Sequence, residues 1–169
     1  SDKYQNGQIL DSWERYMLHV RMKHDEGENV DEECDKICEL MMTKDEKMLS
    51  KIKEYFTFED YTTIYDRRVG SGLVGGKSCG MLLARKIIEK NCPELYNNVF
   101  EPDDSFYIGS DLFYTYIVSN DLWDLRVKQR TEEGYYEYGK KLEEGLKNGV
   151  FSEEIKKEFI HILDYFGQN

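Results

Sequence analysis

Apolar residues recur three and four positions apart through most of the chain. Ile9, Leu10, Trp13, Tyr16, Met17, Val20 and Met22 predict a first helix up to His24, with Asp11 or Ser12 as its cap. An acidic turn around Gly27 separates it from a second helix over about 30–42, where Val30, Cys34, Ile37, Cys38 and Met41 form one stripe. Thr43 then reads as the cap of a third helix from Lys44 to Lys53, with Glu46 in capping-box position. Between Tyr55 and Tyr65 the apolar spacing fits a short helix and a strand equally well.

Further on, Met81-Leu82-Leu83-Ala84 starts an apolar helix that Cys92-Pro93 ends. Ser105 to Ile108 reads as a short buried strand that turns at Gly109, and Ser110-Asp111 as the cap of a helix over 112–119. A short segment follows around Leu122, Trp123 and Leu125. Thr131-Glu132-Glu133 opens another helix with Tyr135, Tyr138, Leu142 and Leu146 inward and Asn148-Gly149 as its C-cap. Ser152-Glu153-Glu154 opens the last, which points Ile155, Phe159, Ile160, Ile162, Leu163 and Phe166 inward. The sum is an α+β domain, mostly helical with a small amount of strand. It divides into a helical N-terminal arm over 1–54 and a main body over 55–169.

Composition narrows the function. A net charge of −11 argues against a general binder of nucleic acid or anionic membrane, since the far field repels polyanions. No apolar run reaches membrane-spanning length, and the start has no charged-then-apolar leader. Ser1 reads as a tag remnant and the chain as an excised piece of something longer. Cys34, Cys38, Cys79 and Cys92 form no C-x-x-C pair, which points to the cytoplasm, and no His or second Cys pair completes a metal set with Cys34 and Cys38. Paired acids such as Glu132-Glu133 and Glu153-Glu154 fit helix starts.

Five glycines fall within the twelve residues Val69 to Gly80, and Gly75-Gly76-Lys77-Ser78 leads straight into the apolar helix. Such a loop brings backbone close to a ligand, while the first amides of the helix and Lys77 attract an anion. The stretch reads as a phosphate site. It misses the P-loop pattern, because the required first glycine falls on Ser71 and the preceding Thr62 to Arg68 is too polar for a central parallel strand. Arg67 and Arg68 read as members of ordinary surface ion pairs.

Val74-Gly75-Gly76-Lys77, its helix, and the ordered Ser105-Phe106-Tyr107-Ile108-Gly109-Ser110-Asp111 after it resemble the nucleotide-binding domain of the phosphoenolpyruvate synthase and pyruvate phosphate dikinase family. The resemblance covers about residues 64–125. It implies the N-terminal portion of an ATP-grasp type domain, with Gly75, Gly76, Lys77 and Ser78 at the ATP phosphates. It also implies Mg²⁺ with the ATP and a whole protein that is an ATP-dependent phosphotransferase. The Arg-Ser-Ser segment, carrier histidine and pyruvate barrel of that family are not found here. The resemblance therefore implies one wall of an ATP site, no catalytic residue in this piece, and the remaining domains of the parent protein as partners. The alternatives are a helical interaction module with a structural glycine hinge, or a diverged P-loop NTPase.

Overall fold

The computed structural model describes residues 11–167, which form ten helices and one two-stranded parallel sheet. Helix α1 (Ser12–Asp25) is capped by Asp11, whose Oδ1 accepts from the amides of Trp13 and Glu14, both at 2.8 Å. Glu14 returns the bond by accepting from the Asp11 amide at 3.0 Å, so Asp11 and not Ser12 sets the start. Ile9 and Leu10 lie outside the described residues. Helix α2 (Asp31–Met41) buries Ile37, Cys38 and Met41 completely, while Cys34 on the same stripe is half-buried.

Helix α3 (Glu46–Tyr55) begins two residues later than its sequence signal. Asp45 accepts from the Met48 amide at 2.9 Å, whereas the buried Thr43 accepts from the Asp45 amide at 3.3 Å. Asp45 is the cap because Thr43 is drawn into the turn that precedes it. The undecided segment is helix α4 (Phe58–Asp66), where Asp60 accepts from the Thr57 amide at 2.8 Å. Its apolar residues Phe58, Tyr61, Ile64 and Tyr65 all face the core, which only a helix allows at that spacing.

Strand β1 (Arg68–Val69) pairs in parallel with β2 (Tyr107–Ile108), matching Arg68 with Tyr107 and Val69 with Ile108. Two helices make the crossover, α5 (Gly76–Asn91) and α6 (Pro93–Val99); Cys92-Pro93 ends the first, and Pro93 opens the second. One hydrophobic cluster runs from Met17 and Val20 through Ile37, Met41, Ile52 and Tyr61 to Val74, Cys79 and Tyr107. The helices before residue 54 and the glycine loop thus share one core.

The C-terminal helices are α7 (Ser110–Ser119), α8 (Trp123–Gln129), α9 (Gly134–Asn148) and α10 (Glu153–Gly167). The first three close over a smaller cluster of Ile117, Leu122 and Leu142. Several residues expected inside are exposed: Tyr135 on α9, and Ile160, Leu163 and Phe166 on α10. The apolar arc of α10 is wider than the surface it rests on, so only its inner edge is covered. Gly149 is the C-cap of α9, as the Asn148-Gly149 pair implies, but its backbone is not left-handed. Gly149 has an extended backbone (φ −68°, ψ 162°), and a Cβ there would come within 2.4 Å of the Tyr116 hydroxyl. Its small size serves close packing against α7. No helix among the described residues is long and apolar enough to cross a membrane.

Candidate functional site

The glycine loop leaves β1 at Val69 and enters α5 at Gly76, and its two halves are held by different parts of the fold. The first half, Gly70 to Leu73, lies against the start of α7. The Ser110 amide donates to the Leu73 carbonyl at 3.0 Å, and the Asp111 amide donates to the Ser71 carbonyl at 3.2 Å. Side chains answer in the other direction. Ser110 Oγ accepts from the Leu73 amide at 3.0 Å, and Ser71 Oγ donates to Asp111 Oδ2 at 3.0 Å. Ser110 and Asp111 therefore sit inside the first turn of α7 and bind the loop, and Gly109 is the N-cap in their place.

The fit is close enough to require glycine on both sides. Gly72 has φ +85°, and a Cβ there would approach Ser110 Oγ to 2.6 Å and the Asp111 carboxyl to 2.7 Å. At Gly109 a Cβ would lie 2.1 Å from the Ser71 carbonyl oxygen. Beneath the loop the buried Arg68 donates to the Gly72 carbonyl at 2.7 Å and lies 5.6 Å from the centre of the Tyr65 ring. Burial pushes the Arg68 guanidinium down from its ordinary value. Among the described residues only one of the two arginines makes the expected ion pair: Arg67 binds Asp104 at 2.9 Å, with its guanidinium 4.8 Å from the centres of the Phe106 and Tyr165 rings.

The second half, Val74 and Gly75, is held from the opposite side by the C-terminal end of α2. The Val74 amide donates to the Met41 carbonyl at 2.8 Å and the Gly75 amide to the Met42 carbonyl at 2.9 Å. These are carbonyls that a helix end leaves without an internal partner. The buried Cys79 thiol donates to the same Met42 carbonyl at 3.2 Å, and burial pushes its pKa up to about 12. Cys79 is thereby a neutral structural thiol.

Past Gly75 the geometry opens. The amides of Gly76, Lys77 and Ser78 have no acceptor among the described residues, and no side chain caps α5. Gly76 and Lys77 are exposed, Gly75 and Ser78 half-buried, and Lys77 forms no ion pair with any described residue. Among the described residues Gly76, Lys77 and Ser78 thus provide three free amides, a hydroxyl and an ammonium at the positive end of a helix of 16 residues. The structure brings Gly75, Gly76, Lys77 and Ser78 together at one surface.

A cavity of about 660 Å³ lies on the other face of the loop, lined by Gly70, Ser71, Gly72, Trp13, Tyr65 and Arg68. Asp11, Glu14, Asp111, Glu154 and Glu158 also line it, against the one cation Arg68. That surplus of carboxylates disfavours a phosphate there. None of the five principal cavities is lined by Gly75, Gly76, Lys77 or Ser78, so the open helix start is a surface cradle. Among the described residues no group of three or more His, Cys, Asp or Glu is placed to hold a metal ion.

Sequence reasoning missed Arg68, Ser110 and Asp111 as loop contacts and the Met41 and Met42 carbonyls as supports. The charge of Arg68 and the capping chemistry of Ser110-Asp111 masked them, and backbone carbonyls leave no mark in a sequence. No family model, curated protein or solved structure matches the chain.

Proposed function

We propose that the chain is the N-terminal portion of an ATP-grasp type nucleotide-binding domain of a phosphoenolpyruvate synthase or pyruvate phosphate dikinase-like phosphotransferase. In that reading Gly75, Gly76, Lys77 and Ser78 hold ATP phosphates. The observation that carries it is the open start of α5: three amides and the Lys77 ammonium, without a partner among the described residues, on a loop fixed from both sides. Amides and an ammonium are donors and suit phosphate oxygens; they are not ligands for Mg²⁺, which takes oxygen. Mg²⁺ would reach this surface bound to the nucleotide, with its protein ligands supplied elsewhere in the parent.

The chemistry of this wall is positional. Backbone amides orient the phosphates, and Lys77 offsets charge that grows during phosphoryl transfer. The chain supplies no nucleophile or base for the reaction in this reading. The strand before the loop is two residues long and contains Arg68, which gives the P-loop alternative little support.

The test is equilibrium binding of Mg-ATP and of adenosine to the native chain and to Lys77→Ala. Mg-ATP should bind, adenosine should not, and Lys77→Ala should weaken Mg-ATP at least about tenfold. Mg-ATP binding that is absent or indifferent to Lys77 would remove the reading. The exposed Ile160, Leu163 and Phe166 of α10 favour a second reading, a helical interaction module, which would then come forward.

A further inference from the structure

The phosphate reading concerns residues that would touch a ligand. The geometry points to two more that would act without touching it: Ser110 and Asp111 are positioning residues for the phosphate cradle, and the inference rests on that reading. Four hydrogen bonds join these two residues to Ser71 and Leu73, two from their amides and two through their side chains. The bonds fix the loop from Ser71 to Leu73. The Met41 and Met42 carbonyls fix the next two residues, Val74 and Gly75. Every loop residue between β1 and α5 except Gly70 thus has its backbone held by an external partner.

The consequence is preorganisation. A loop already held in shape loses little freedom when it takes up an anion, so binding is stronger than the contacts of Lys77 alone would give. Ser110 and Asp111 are specific to this task. Ser110 Oγ is the acceptor of the Leu73 amide, and Asp111 Oδ2 is the acceptor of the Ser71 hydroxyl. Both side chains point back along the loop rather than to α7. No ligand contact is needed for either, because α5 starts three residues after Leu73.

The experiment compares Ser110→Ala and Asp111→Ala with Ser110→Thr and Asp111→Asn in the same 169-residue chain. Two quantities are read: amide hydrogen exchange of Leu73 without ligand, and affinity for Mg-ATP. Ser110→Ala should exchange Leu73 faster, both alanine variants should bind Mg-ATP about tenfold more weakly, and Thr and Asn, which keep an acceptor, should restore what each alanine loses. Ser71→Ala breaks the Asp111 bond from the exposed side and should reproduce Asp111→Ala should that variant fail to fold. Native affinity in the alanine variants, alongside loss in Lys77→Ala, would overturn the positioning role alone. An absence of Mg-ATP binding by the native chain would overturn the phosphate reading and this inference together.

Discussion

Helices α5 and α7 begin on either side of one loop, yet their starts differ. The first amides of α7, those of Ser110 and Asp111, are occupied by the loop's own carbonyls, while those of Gly76, Lys77 and Ser78 on α5 have no partner among the described residues. Both helices carry the same dipole. What separates them is whether the fold has already filled the amides. A glycine-rich turn before a helix is therefore half a signal, and the other half is the fate of the orphan N–H groups.

Substitutions that force the two starts apart should have the largest effects. Gly109→Ala places a carbon 2.1 Å from the Ser71 carbonyl and should cost about 3 kcal/mol of stability, read by urea unfolding. Next comes Arg68→Met, which keeps the bulk beneath the loop but leaves the Gly72 carbonyl without its donor. A loss of about 2 kcal/mol is expected, with the α5 side intact. A native-like unfolding curve for either would mean that the loop is not latched as described.

A third effect, confined to alkaline pH, concerns the support under the second half. Burial raises the Cys79 thiol from its ordinary 9.0 to about 12, so the unfolded chain ionises first. Its contribution to stability is complete below pH 9.0 and is lost as pH rises toward about 12. The slope attributable to it is at most about 1.4 kcal/mol per pH unit. Unfolding followed across that range should be flatter in Cys79→Ala than in the native chain, and equal slopes would place the thiol in water.

Much of the helical content was legible because apolar spacing is a local property. The stripe Val30, Ile37, Cys38 and Met41 is buried as its period implies. The same rule failed on α10, where Ile160 and Leu163 share the apolar arc but are left exposed among the described residues. Periodicity tells which face is apolar and not how much of it the fold conceals. At the site, a glycine loop that runs into a helix could be read from residue type alone. The latch could not, since Ser110-Asp111 makes an equally good helix cap in sequence, and only the parallel pairing of β1 with β2 brings it to Ser71 and Leu73.

Under the proposed function the start of α5 takes an anion and the start of α7 does not. The direct measurement is an amide chemical-shift titration of the native chain with Mg-ATP, repeated on Lys77→Ala. Shifts are expected to centre on Gly76, Lys77 and Ser78, with none of comparable size at Ser110 or Asp111, and to be lost in the variant. Shifts centred on Ser110 and Asp111, or around Arg68 in the acidic cavity, would contradict the proposed function.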